Sequence, residues 1–74
     1  MKTLIDVPIG TTVRIAHLNS PPEACLRLRE LGFCENSIIR CVNRGSGNII
    51  CEVCNSRVGL NHAVASAIYV STFE

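Results

Sequence analysis

Cysteine is the residue type in this chain best suited to metal or redox chemistry, since the 74 residues include five cysteines and two histidines. Cys51 and Cys54 have the C-x-x-C spacing of structural zinc sites, in which both sulfurs lie on one side of a turn. Here the pair falls in a strand-like segment, where a separation of three residues places Cys51 on the inner face and Cys54 on the outer face. No second C-x-x-C or H-x-x-x-H pair supplies the remaining ligands. The spacing therefore does not predict a zinc site.

The other cysteines are scattered over different segments, and their odd number argues against a complete disulfide framework. We expect Cys25, Cys41 and Cys51 to be small buried hydrophobic residues, which is how most free cysteines behave. Cys34 and Cys54 should be more exposed. We therefore expect no cofactor and no metal site, and the alternative ligand set is Cys34 or Cys54 together with His62, because zinc accepts mixed sulfur and nitrogen ligands.

Catalytic motifs are lacking in the sequence. The glycine-rich segment 45–47 has neither the lysine nor the following helix of a phosphate-binding loop, so it predicts a hairpin turn. Ser56 and Ser66 lie in no nucleophile elbow. Neither His17 nor His62 has a carboxylate beside it in sequence. We therefore expect that the protein is not an enzyme.

Composition narrows the remaining classes of function. A net charge of +1 with scattered basic residues disfavours nucleic-acid binding, which usually needs a concentrated basic face. No apolar run approaches the roughly 20 residues that span a bilayer, and the N-terminal segment does not resemble a signal peptide. We therefore expect a single domain over residues 1–74 in the cytoplasm. With 47% hydrophobic residues in so short a chain, some apolar surface should remain exposed, which favours docking to a partner or self-association as a homo-oligomer.

The sequence of segment 20–33 predicts an α-helix, which would position part of an exposed docking surface. Ser20 and Glu23 have the spacing of a capping box, and Pro21 suits the first helical position. Gly32 is the expected left-handed residue after the helix, with Phe33 packing back on the last turn as in a Schellman ending. Leu28 and Leu31 are expected to face the core.

The rest of the chain predicts short strands separated by turns. Asn36 is expected to adopt the left-handed conformation in the turn that follows the helix. Asn61 is a plausible N-cap for a helical turn over 62–66. The expected strands cover 11–18, 37–44, 49–54, 57–60 and 67–70. The fold class is therefore mainly β: a small, partly open barrel of about five strands, with one inserted α-helix and a short helical turn before the last strand.

The order of these segments resembles the FeoA family, the small SH3-like barrel proteins of ferrous iron uptake. The most specific match is 27–33 (RLRELGF), which is similar to the arginine–leucine–x–x–leucine–glycine end of the family's helix. Ile39 and Cys41 stand where the family has inward apolar residues. The other matching positions are 4–10 (LIDVPIG), 13–15 (VRI), 57–60 (RVGL), Ala65, Ile68 and Val70.

The resemblance implies an SH3-like barrel with an accessory, non-enzymatic role beside FeoB, the ferrous iron permease that carries a cytoplasmic GTPase region. The membrane would be reached only through that partner. Two alternatives stay open. One is a small iron- or zinc-binding sensor or carrier that uses cysteine and histidine. The other is a regulatory domain acting in trans, like the C-terminal barrel of iron-dependent repressors.

Two groups of outward residues are predicted to contact the partner. The first is apolar: Ile38, Ile50 and Val64. Val64 lies in the 62–64 turn, which is less polar here than is usual in the FeoA family. The second group is the polar face of the helix, made of Arg27, Arg29 and Glu30.

Overall fold

The computed structural model describes residues 2–72, which form one open antiparallel sheet with two short helices. The strands follow the order β1-β6-β2-β3-β4-β5, so β1 and β5 form the two edges. The elements are β1 (Lys2–Thr3), a 3-10 turn (Leu4–Asp6), β2 (Thr12–Leu18), α1 (Pro22–Glu30), β3 (Ile38–Gly45), β4 (Asn48–Val53), β5 (Ser56–Asn61), α2 (His62–Ala65) and β6 (Ile68–Thr72). The predicted mainly β barrel with one inserted helix is confirmed.

The N-terminal pairing adds a strand that the sequence analysis did not predict. Lys2 and Thr3 pair with Val70 and Tyr69 of β6, and the chain then turns. The Thr3 main-chain N–H donates to the Asp6 carboxylate across 3.1 Å, which stabilises the 3-10 turn. A two-residue strand carries no recognisable alternation of apolar residues, so only its pairing partner reveals it.

The start of α1 differs from the prediction, because no capping box forms at Ser20. Pro21 is the N-cap, and Pro22 takes the first helical position, so the helix begins one residue later than expected. Ser20 is therefore too far from the first turn to cap it. Its carbonyl accepts a 3.2 Å hydrogen bond from the Cys25 thiol instead.

The end of α1 is the predicted Schellman motif. The Phe33 N–H donates to the Leu28 carbonyl across 2.9 Å, and the Gly32 N–H donates to the Arg29 carbonyl across 3.0 Å. Gly32 has φ +102°, a conformation that a side chain disfavours. This turn delivers Phe33 into the core, where it is fully buried, while Leu31 stays exposed. The expectation that Leu31 faces the core is therefore wrong, because the chain reversal gives that place to Phe33.

The core lies between the inner face of the curved sheet and helix α1. Alternate strand positions face it, as the period of two requires. Its largest fully buried side chains are Phe33, Leu4, Ile15, Ile39, Ile49 and Ile68. Val58 and Val64 pack against this core while remaining partly exposed.

Two turns depend on residues with positive φ. Asn36 has φ +74°, as predicted for the turn after the helix. Cys54 (φ +51°) and Asn55 (φ +64°) form the two-residue turn between β4 and β5, so β4 ends at Val53 rather than at Cys54. The predicted cap of α2 is confirmed, since Asn61 Oδ1 accepts from the Val64 N–H at 2.8 Å.

Candidate interaction surface

Three of the five cysteines are buried, as predicted, whereas Cys34 is half-buried and Cys54 is exposed. Cys41 and Cys51 face each other across β3 and β4 and are fully buried, and Cys25 is also buried. Burial, together with the neighbouring Cys41, raises the pKa of the Cys51 thiol to about 12. Cys51 therefore stays protonated at neutral pH and behaves as a small hydrophobic residue, because only the thiolate is a strong nucleophile or metal ligand.

The alternative metal ligands do not form a cluster in the described part of the chain. Cys34 is half-buried, with its thiol 3.8 Å from the Arg29 carbonyl. Cys54 is exposed at the β4–β5 turn, where its Sγ would lie 3.2 Å from a Cβ added at Gly32. His62 begins α2 and is exposed. Within residues 2–72, no three histidine, cysteine or acidic side chains lie close enough to share a metal ion.

The three predicted apolar contact residues lie in different places. Ile38 on β3 is 54% exposed, whereas Ile50 on β4 and Val64 on α2 are half-buried. Ile38 lines a cleft of about 350 Å³ on the outer face of the sheet, which also contains an Arg40–Glu52 ion pair of 3.1 Å. Val64 lines a separate groove, and Ile50 lines neither cavity. The structure therefore does not unite these residues into one patch.

The groove that contains Val64 runs between α1 and the edge strand β5, and we name it the α1–β5 groove. Its volume is about 240 Å³. Apolar atoms make up most of its lining, and Arg27 is its one charged lining residue. The lining residues are Ala24, Arg27, Leu28, Leu31, Gly59, Leu60, Asn61 and Val64.

Local sequence explains why a groove forms at this place. Ala24, Leu28 and Leu31 recur at positions i, i+4 and i+7, which keeps them on one side of α1. Ala24 is small, and Gly59 has no side chain, so neither wall fills the space between helix and strand. Leu31 remains 42% exposed at the rim. The only sequence signal for this groove is the helical spacing of Ala24, Leu28 and Leu31. That spacing predicts a buried helix face as readily as it predicts an open groove.

The charged residues predicted on α1 have different surroundings. Arg29 pairs with Glu35 across 3.4 Å, and both side chains are well exposed. Main-chain hydrogen bonding, and then the Arg29 guanidinium, hold the pKa of Glu35 below its ordinary value. Glu30 is exposed outside the groove. Arg27 lines the groove, and among residues 2–72 its guanidinium has neither an ion-pair partner nor a hydrogen-bond partner.

Comparison with known proteins decides the family. The sequence profile described as FeoA domain matches residues 2–72, nearly the whole chain. The chain belongs to the FeoA family. The family has a role in ferrous iron transport, and its members are small SH3-like accessory domains rather than a known class of enzyme. No curated protein matches the sequence significantly.

Solved structures include FeoA proteins with the same fold. FeoA from Chlorobium tepidum superposes with a TM-score of 0.91 at 15% identity, covering 99% of this chain and 71% of that one. FeoA from Stenotrophomonas maltophilia, solved in complex with zinc and described as an SH3 domain protein, gives a TM-score of 0.77 at 27% identity, covering 96% and 91%.

A manganese-dependent transcriptional repressor also matches, with a TM-score of 0.88 at 23% identity over 97% of this chain and 41% of its own. At this identity the likeness concerns the fold alone. The same fold thus makes up about two fifths of this longer manganese-dependent repressor. In this FeoA-family chain, no helix within residues 2–72 has the length and apolar character needed to cross a bilayer.

Proposed function

We propose that this FeoA-family chain acts in the cytoplasm as an accessory protein of ferrous iron uptake, by direct contact with the cytoplasmic region of a FeoB-type permease. The family match over residues 2–72 carries the proposal. A contact mechanism is further supported by the small size of the domain and by its exposed apolar side chains, which are Ile9, Leu26, Leu31 and Ile38. Apolar side chains that lie together in one groove, as Leu31 does with Leu28 and Val64, favour a docking role.

The α1–β5 groove is the surface that we assign to this contact. It combines an exposed apolar rim at Leu31, the half-buried Val64 and a guanidinium at Arg27. Arginine is one of the residue types that dominate binding energy at protein interfaces, and here it lies beside apolar side chains that a partner could cover. Of the six residues predicted from the sequence, Val64 and Arg27 belong to this proposed surface. Arg29 and Glu30 lie on the same helix outside it, and Ile38 and Ile50 lie on the sheet.

The experiment is a binding titration between the purified chain and the purified GTPase region of the FeoB-type permease from the same genome. Leu31→Asp removes the apolar contact at the groove rim and places a carboxylate four residues after Arg27, where it competes with the partner for the guanidinium. Binding should weaken by at least about tenfold, because a charge also replaces a side chain that the partner would bury. The matched control is Leu26→Asp, on the same helix. Leu26 is 61% exposed and does not line the groove, so its replacement should leave the affinity within about twofold.

Two results would contradict the proposal. Absence of binding by the unmodified chain would argue against the permease as partner. Equal weakening by both substitutions, or a large effect of Ile38→Asp alone, would place the contact elsewhere on the molecule. Circular dichroism of each variant shows whether the fold is retained, and both leucines are exposed enough that it should be.

A further inference from the structure

The groove lies beside an unpaired strand edge. In the described part of the chain, strand β5 pairs with β4 on one side only, because it is the last strand in the sheet order. An edge strand presents N–H and C=O groups that a further strand can pair with. Within residues 2–72, no loop or helix main chain hydrogen-bonds to Gly59, so its outer edge is not covered in that way.

The register identifies which main-chain groups point outward. Val53 and Ser56 flank the two-residue turn and therefore form a hydrogen-bonded pair. Hydrogen-bonded and non-hydrogen-bonded pairs alternate along an antiparallel ladder. The main-chain groups of Val58 and Leu60 therefore bond to β4, whereas those of Gly59 do not. Both main-chain groups of Gly59 and the N–H of Asn61 consequently face the open edge, whereas the Asn61 carbonyl belongs to the first turn of α2. Both residues line the α1–β5 groove.

The opposite wall of the groove suits the side chains of an added strand. Leu28, Leu31 and Val64 offer apolar contacts, and the volume of about 240 Å³ is enough for roughly one or two aliphatic side chains. Arg27 supplies a positive charge that no carboxylate among the described residues neutralises within 4 Å.

We propose that the α1–β5 groove binds an extended, acidic segment of the partner protein, which adds as a strand to the free edge of β5. This mode of binding rests on the proposed function, because it specifies how the chain would hold the FeoB-type partner. Main-chain hydrogen bonds to Gly59 and Asn61 provide affinity, an apolar side chain enters the groove, and a neighbouring carboxylate pairs with Arg27. A helical segment would fill the apolar wall but leave the strand edge unbonded.

Hydrogen exchange distinguishes strand addition from other contacts. In the free chain the amides of Gly59 and Asn61 should exchange rapidly, because they lack partners in the sheet. On addition of the permease GTPase region they should become protected, by about tenfold or more. Protection elsewhere with no change at these two amides would overturn the proposal, even though binding itself would uphold the proposed function.

A pair of substitutions at one position tests the main-chain bond directly. Gly59→Pro removes the outward N–H, and proline is tolerated on edge strands at such positions. Gly59→Ala keeps that N–H, and its Cβ meets only the flexible end of Ile50 at 3.3 Å. Binding should fall about fivefold to tenfold for the proline variant and less than about twofold for the alanine variant. Equal affinities in the two variants would overturn the proposal.

A charge exchange tests the acidic character of the segment without altering β5. The probe is a short synthetic peptide that alternates glutamate with valine or leucine, and its counterpart carries lysine in place of glutamate. The unmodified chain should prefer the glutamate peptide by about fivefold, and Arg27→Glu should reverse that preference. If neither peptide binds and the GTPase region does not protect Gly59, the proposal is wrong. If the glutamate peptide protects Gly59 while the GTPase region does not bind, strand addition stands and the proposed partner fails.

Self-association provides the last control. If a second copy of the chain occupied the groove instead, protection of Gly59 would increase with the concentration of the chain alone. That result would replace the partner segment with a homo-oligomer and overturn the proposal.

Discussion

Replacement of Gly32 by alanine should destabilise the fold by two separable effects. The first is conformational: Gly32 has φ +102°, where a side chain costs about 1–2 kcal/mol. The second is steric: an added Cβ would lie 3.2 Å from both Cys54 Sγ and a methyl carbon of Val53. Val53 is buried in the core and has little room to move, so crowding should add about 1–2 kcal/mol. The expected total is about 2–4 kcal/mol.

Gly47→Ala is the matched control for the conformational effect. Gly47 also has a positive φ, +84°, but an added Cβ there would meet nothing within 4 Å. Its replacement should therefore cost only about 1–2 kcal/mol. The difference between the two variants isolates the contact between the end of α1 and the β4–β5 turn.

Urea denaturation followed by far-ultraviolet circular dichroism, with a reductant present, measures both free energies of unfolding. For a chain of 74 residues the total stability is about 4–11 kcal/mol, so the Gly32 variant should show a much lower midpoint. Adding Cys54→Ala to the Gly32→Ala variant should recover part of the lost stability, because it removes the Cys54 Sγ atom that the new Cβ would contact. Equal destabilisation by Gly32→Ala and Gly47→Ala would refute the steric argument.

Three further predictions concern the pH dependence, a helix cap and cysteine reactivity. Because burial raises the pKa of Cys51 to about 12, an unfolded chain ionises this thiol at lower pH than the folded chain does. The contribution of the Cys51 thiol to the free energy of unfolding is therefore fully present below about pH 9 and should fall as the pH rises towards 12. In Cys51→Val, the urea midpoint should decline less over this pH range. Asn61→Ala removes the side-chain cap on the Val64 N–H and should cost about 1 kcal/mol, measured by the same denaturation, whereas an unchanged midpoint would argue against the cap. Iodoacetamide should label Cys54 rapidly and spare Cys41 and Cys51 in the folded chain, as read by mass spectrometry; fast labelling of Cys51 would contradict its burial.

Local signals predicted the end of α1 well and its start poorly. The glycine and the following phenylalanine specify a Schellman motif through backbone geometry that few other residues adopt, so Gly32 and Phe33 were readable without a structure. At the start, two consecutive prolines allow two positions for the first helical residue. The Ser20–Glu23 spacing selected Pro21, which was wrong, because the helix begins at Pro22. The core-facing expectation for Leu31 failed because helical spacing places Leu31 on the same side of α1 as Leu28 but does not reveal that β5 leaves an open groove there.

The sequence by itself determined the fold class and the family, since both depend on the order of strands, turns and one capped helix, and these signals are local. It also predicted that Cys51 is buried and Cys54 exposed, although the reason given for Cys54 was wrong, because that residue lies in the turn after β4 and not on the outer face of the strand. Only the tertiary structure decided which outward residues lie together. Val64 and Arg27 line one groove with Leu31 and Gly59, whereas Ile38 lies in another cleft, because proximity between α1 and β5 depends on long-range packing. The open edge at Gly59 is likewise a property of strand order, which no single segment contains.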